Sequence, residues 1–117
     1  PKLYQSAASK LMNAAWLDKL HELVSAGAGE VLINYVDKDG TLSGPDLQLI
    51  KQAADYVSVP LIAVGGVSSL SDIKACVDAG ASAVAAGAFF VYHGPHRAVL
   101  ITYPKYQDLE NLFKGIV

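Results

Sequence analysis

Asp37, Asp39, Gly40, Thr41 and Ser43 crowd two carboxylates, a glycine and two hydroxyls into one short stretch. Paired carboxylates can carry acid–base chemistry, and a glycine beside hydroxyls can cradle a phosphate. The stretch follows an apolar run, Val31 to Val36, that predicts a buried strand. It precedes an amphipathic run from Pro45-Asp46 that predicts a helix. In parallel α/β proteins this strand-to-helix rim is where ligands bind, because backbone N–H groups and helix N-termini converge there. If strand geometry persists, Asp37 and Asp39 project to opposite sides. One would then face a ligand while the other holds the loop or pairs with Lys38 or Arg97. The alternative is that both solvate a turn and cap the next helix. A calcium loop is disfavoured, since no further ligands or terminal glutamate follow the aspartates.

Three glycine sites stand just past predicted strands: Gly40-Thr41, Gly65-Gly66 and Gly87-Ala88. Glycine there lets a phosphate approach backbone N–H groups, with the next helix dipole favouring its charge. Tight turning without a ligand is the other reading. The hydroxyls of Thr41 and Ser68 favour phosphate. His93 and His96 are separated by Gly94-Pro95, which breaks a shared helical face, and no third ligand adjoins them, so no metal is expected. Glu30 precedes a strand, at the end opposite the rim. Cys76 falls inside a predicted helix and is a small core residue rather than a nucleophile. Trp16 is expected in the core.

The elements that must position these residues alternate. Residues 1 to 9 lack periodicity and predict a loop. Leu11, Ala15, Trp16, Leu20, Leu23 and Val24 predict a helix over 11–25, stopped at Gly27. The strand from Val31 is apolar on both faces, as where helices cover both sides of a parallel sheet. A helix over 46–56, a strand over 61–64, and a helix opened by the Ser69–Asp72 capping box and ended at Gly80 follow. Ala83 to Gly87 predict a small-residue strand, Ala88 to Tyr92 a short helix or turn, and 107–113 a last helix. Residues 99–101 are extended or helical. Such alternation predicts a parallel α/β sheet, and three strands are too few for a closed barrel. The expectation is part of a (β/α)8 barrel, one domain over 1–117.

The 117 residues are 52 % hydrophobic and 17 % charged, with net charge -2. The apolar excess implies a large core or a surface covered by another chain. The charge gives no support to nucleic-acid or polybasic membrane binding. One cysteine excludes an internal disulfide framework and suits a reducing cytoplasm. No apolar run is long enough to span a bilayer, and no signal-peptide pattern opens the chain. No G-x-G-x-x-G follows a strand, which lowers a dinucleotide reading.

Gly27-Ala28-Gly29-Glu30-Val31-Leu32-Ile33, Asp37-Lys38-Asp39-Gly40-Thr41, Val59-Pro60-Leu61-Ile62-Ala63 with Gly65-Gly66, and Ala79-Gly80-Ala81 with Phe90 resemble the cyclase subunit of imidazole glycerol phosphate synthase. They match its sixth to eighth strands and loops. The tail, His93 to Ile101, is more similar to paralogues serving surface-polysaccharide amidation. The resemblance implies a (β/α)8 barrel that takes ammonia from a glutaminase partner and closes an imidazole ring on a phosphorylated ribulosyl substrate. It implies that Asp39, Gly40, Thr41, Gly65, Gly66, Gly87 and Ala88 bind phosphate or substrate, that Asn34 faces the mouth, and that Glu30 is an ammonia-gate carboxylate. The family often has serine where Ala88 stands.

By the same resemblance, both catalytic aspartates lie on strands one and five, before this chain's first residue. No catalytic residue, cofactor or metal is therefore assigned within it, and turnover is expected only with the other half supplied. Two alternatives stand beside this. One is a non-catalytic half-barrel that self-associates through open sheet edges and binds a phosphorylated ligand. The other is the polysaccharide paralogue.

Overall fold

A computed structural model of the chain describes residues 2–5, 10–12 and 15–114. Its centre is a three-stranded parallel sheet, β3 (Val31–Asn34), β4 (Leu61–Val64) and β5 (Ala83–Ala85), in that spatial order. Helices α1 (Trp16–Ser25), α2 (Leu47–Tyr56) and α3 (Leu70–Asp78) alternate with the strands. The βα alternation demanded by the sequence pattern is present. After β5 come a four-residue helix, α4 (Ala88–Val91), an antiparallel hairpin of β6 (Tyr92–His93) and β7 (Ala98–Val99), and α5 (Tyr106–Phe113). The undecided 99–101 segment thus begins as the return strand of that hairpin.

The N-terminus departs from the predicted loop and helix. β1 (Leu3–Gln5) pairs antiparallel with β2 (Lys10–Met12), where a loop and the start of a helix were expected. Residues 1 and 6–9 of the expected loop and 13–14 of the expected helix lie outside the described residues. The helix begins at Trp16, and Leu11 belongs to β2. Five residues separate Leu11 from Trp16, about 140° out of phase with a helical stripe. The residues of α1 that pack on the core are Trp16, Leu17 and Leu20, at i, i+1 and i+4, while Leu23 is exposed.

Register explains which face is which. Ile33, Ala63 and Val84 align across the sheet and point at the helices. With Leu20, Ile50, Ala53, Leu61, Cys76 and Ala81 they form the core. The intervening rows, Leu32–Ile62–Ala83 and Asn34–Val64–Ala85, lie on the other face. Leu32 there is 56% exposed. The expectation of helices on both faces fails: they cover one. The molecule is accordingly a slab, 38 × 37 × 21 Å. Its radius of gyration of 15.3 Å exceeds the roughly 13 Å of a compact chain this long. Part of the apolar surplus noted in the composition is Leu32 on that face, and more of it is Val99, Leu100, Ile101, Tyr103 and Tyr106 in the C-terminal segment.

The helix signals resolve locally. Asp46 accepts the Leu49 N–H at 3.0 Å and caps α2. Ser69 accepts the Asp72 N–H at 3.2 Å and caps α3. Asp72 reaches back one residue beyond the usual box, to the N–H and hydroxyl of Ser68 at 2.9 and 2.7 Å.

Candidate functional site

Because β3, β4 and β5 are parallel and in register, Tyr35, Gly65 and Ala86 leave the sheet side by side. Three loops therefore rise from one edge, and the hairpin β6–β7 joins them. This edge gathers Asn34, Asp39, Gly40, Thr41, Gly65, Gly66, Gly87 and Ala88. Glu30 is exposed before the first residue of β3, at the opposite edge.

The first loop does not continue the strand. β3 ends at Asn34; Tyr35 adds one rung by donating to the Val64 carbonyl at 3.0 Å. The Tyr35 carbonyl then accepts both Lys38 and Asp39 N–H groups at 3.0 Å, winding the chain into a turn. Asp37 and Asp39 are thus set by turn geometry rather than strand alternation, which corrects the opposite-sides expectation. Neither caps α2, since Asp46 does. The Asp39 carboxylate accepts a long hydrogen bond from Asn34 Nδ2 at 3.4 Å. Thr41 Oγ1 donates to the Lys38 carbonyl at 2.6 Å and lies 2.7 Å from Ser43 Oγ. Its hydroxyl is engaged in folding the loop, and the Ser68 hydroxyl is likewise engaged by Asp72.

The glycine pair of the second loop locks the first loop in place. Gly65 has φ 121°, and a Cβ on it would stand 2.8 Å from the Tyr35 carbonyl. Gly66 has φ 88°, and its Cβ would collide with the Gly44 carbonyl. Instead, Gly44 N–H donates to the Gly66 carbonyl at 2.8 Å. Only glycine fits both positions. Gly87, with φ -111°, has open space around it and accepts from Phe90 and Val91 as α4 begins.

Gly66 is buried, yet its N–H meets no protein acceptor among the described residues. The N–H groups of Gly40, Gly87 and Ala88 are likewise unengaged among them. Buried N–H groups without a partner are rare, and a ligand oxygen or water normally supplies it. The larger hollow, about 400 Å³ among Ile73, Val84, Phe90, Tyr103, Leu109 and Phe113, lies elsewhere, beside α3 and α5, and is apolar.

Arg97 was one of two candidate partners for an aspartate, beside Lys38; its Nη2 donates instead to the Gly40 carbonyl at 2.9 Å. Arg97 also lies 5.8 Å over the Tyr92 ring. The available signal was Gly94-Pro95 between Tyr92 and Val99, a four-residue turn that carries Arg97 back over the rim.

His93 and His96 lie exposed on the hairpin, and no cluster of three metal-ligating side chains occurs among the described residues. Cys76 is fully buried, and burial, with the charge of Asp72 second, pushes its thiol up to about 11. That is the behaviour of a core residue. No helix among the described residues is long and apolar enough to cross a membrane.

Fold and rim together define a parallel α/β segment with backbone donors gathered at its strand ends. Residues 2–96 match the model of the histidine biosynthesis protein family. The chain belongs to that family. A provisionally named imidazole glycerol phosphate synthase subunit HisF of Leptospira interrogans is 43% identical over 97 residues, covering 82% of this chain and 38% of its own. The HisF subunit of Thermobifida fusca is 48% identical over 75 residues, covering 64% of this chain and 28% of its own. The HisF subunit of Bifidobacterium adolescentis is 44% identical over 77 residues, covering 66% and 29%. The chain spans less than two-fifths of the length of the relatives it matches. A nitroalkane oxidase from Streptomyces ansochromogenes superposes with a TM-score of 0.49 over 68% of this chain and 27% of its own, at 25% identity, too loosely to carry an argument.

Proposed function

We propose that this chain is the C-terminal part of a (β/α)8 barrel of the cyclase-subunit type, and that its rim holds a phosphate group of the substrate. The observation that carries the reading is the buried Gly66 N–H without a protein acceptor, beside the unengaged N–H groups of Gly87 and Ala88. A phosphate monoester accepts several such bonds at once, and converging backbone donors favour its charge. Ala88 contributes through its backbone, so a serine hydroxyl there is dispensable.

The roles at the first loop divide by charge. A carboxylate repels phosphate, so Asp39 serves by orienting Asn34 and accepting from a substrate hydroxyl, while Gly40 supplies its N–H. Thr41 contributes by folding the loop. In the whole barrel the activity is ammonia-dependent ring closure on a phosphorylated ribulosyl substrate. Ammonia from a glutaminase partner would enter at the edge where Glu30 stands. The similarity to HisF subunits supports this reading. No acid–base pair is assigned within the segment, which is expected to bind without turning over.

Titration with inorganic phosphate followed by 31P and amide NMR tests the reading. Shifts at Gly66, Gly87 and Ala88 are expected; amides that stay still up to high phosphate would refute it.

A second reading has its own observation. The open sheet face with Leu32 and two sheet edges that are unpaired among the described residues invite another copy of this segment. Light scattering on the isolated segment checks it: a monomer at high concentration would remove it.

A further inference from the structure

Arg97 makes the one side-chain hydrogen bond among the described residues that joins parts of the chain distant in sequence. All the others link residues at most five apart, as the bonds of Asn34 to Asp39 and Ser68 to Asp72 illustrate. The hairpin is built to deliver it. β6 and β7 pair through Tyr92–Val99 and His93–Ala98, and Arg97 N–H closes the turn on the Gly94 carbonyl at 3.1 Å. Arg97 itself takes the left-handed conformation, φ 50°, which is uncommon for a residue with a Cβ. The return leg is anchored where Leu100 and Thr102 donate to the Val91 and Phe90 carbonyls.

The guanidinium therefore bridges the loop after β5 and the loop after β3. It is exposed and joined to no carboxylate: the ion pairs among the described residues are Lys19–Glu22, Lys51–Asp55 and Lys74–Asp78. A guanidinium has five N–H donors, and a neutral carbonyl neither uses them all nor neutralises its charge. The family match stops at residue 96, one short of Arg97.

We propose that Arg97 is a ligand-contacting residue. One amino group is fixed on the Gly40 carbonyl, and the remaining N–H groups engage an anionic phosphate of a sugar phosphate seated on the rim. The cation–π contact with Tyr92 and the Gly40 bond hold the guanidinium in advance, so little side-chain freedom is lost when the anion arrives. The hairpin then supplies the positive charge that backbone N–H groups alone lack. This inference rests on the phosphate reading of the rim.

Ribose 5-phosphate is the probe, titrated by 31P NMR from pH 5 to 8 into the full-length protein and its Arg97→Ala and Arg97→Lys variants. Contact with the guanidinium stabilises the dianion and lowers the second pKa of the bound phosphate. Arg97→Ala is expected to weaken binding about tenfold or more and to raise that bound pKa. Arg97→Lys is expected to keep most of the pKa depression with a smaller loss of affinity. A strap with a structural role alone would leave the bound pKa unmoved. Affinity and bound pKa in Arg97→Ala equal to wild type would overturn the inference while the phosphate reading stands. A wild-type protein that does not bind would overturn both. Should Arg97→Ala lose its fold by circular dichroism, Arg97→Gln takes its place as the neutral variant: a raised bound pKa supports the contact, and one equal to wild type overturns it.

Discussion

Gly44 donates its N–H to the Gly66 carbonyl at 2.8 Å, and the two backbones approach so closely that no Cβ fits on Gly66. This contact sets the spacing of the first two rim loops. Gly66→Ala combines a forced positive φ with a collision against backbone, which cannot move aside as a side chain can. The expected loss is about 2–4 kcal/mol, read as a lowered urea midpoint. Gly87→Ala is the matched control. Its φ is -111° and the space around it is open, so its stability should change by no more than about 0.5 kcal/mol. A fall in Gly87→Ala equal to that of Gly66→Ala would contradict the packing account.

Asp46 closes the first loop by accepting the Leu49 N–H and satisfying one orphan donor of α2. Asp46→Ala should cost about 1 kcal/mol, and Asp46→Asn a small part of that, because an amide oxygen can take the same bond. Thermal melts of the two variants check the order. The cap is partly buried at the base of the rim loop, so Asp46→Ala should also speed amide exchange at the start of α2.

What was legible in the sequence follows the reach of each interaction. The Ser69–Asp72 box acts within four residues and was visible as letters at a fixed offset; the Asp46 cap has the same reach, but the predicted helix takes Asp46 as its first residue. The three parallel strands followed from βα alternation, a rule about local periods. The end of β3 was misjudged because Tyr35 and Val36 remain apolar, while the turn is made by backbone bonds to the Tyr35 carbonyl that no side chain announces. The N-terminal helix is shorter than its apolar residues predict, because Leu11 is out of phase with Trp16 and belongs to β2. The rim glycines were found, but their positive φ angles serve a loop-to-loop contact with Gly44 as much as any ligand. Arg97 on Gly40 joins residues 57 apart and was beyond any local pattern.

Asp72 holds the start of α3 through the N–H and hydroxyl of Ser68 while its own N–H caps on Ser69. Removing the carboxylate leaves the Ser68 N–H unsatisfied at the foot of the second loop. Asp72→Ala is expected to destabilise by about 1–2 kcal/mol. Ser68→Ala loses one hydroxyl bond and keeps the backbone one, so its cost should be smaller, about 0.5–1 kcal/mol. Urea unfolding of both variants tests that ranking, and the reverse order would refute this account of the cap.

Cys76 ties stability to alkaline pH. Its thiol, with an ordinary value of 9.0, is pushed up to about 11 in the folded chain, first by burial and second by Asp72. Below pH 9 the thiol is protonated in both folded and unfolded states and contributes no pH dependence. Between pH 9 and 11 the unfolded chain releases the proton while the folded chain retains it, so the unfolded state gains and stability falls as pH rises. A separation of that size corresponds to about 2–3 kcal/mol at the upper end of the window. Tyrosines and lysines titrate in the same range, so the informative quantity is the difference between wild type and Cys76→Ala. That difference should be flat from pH 7 to 9 and shift in favour of Cys76→Ala from pH 9 to 11. Asp72→Asn should reduce the shift only slightly, because desolvation is the larger cause and survives the substitution. A difference that stays flat to pH 11 in urea titrations would mean that Cys76 is reached by water in the folded state.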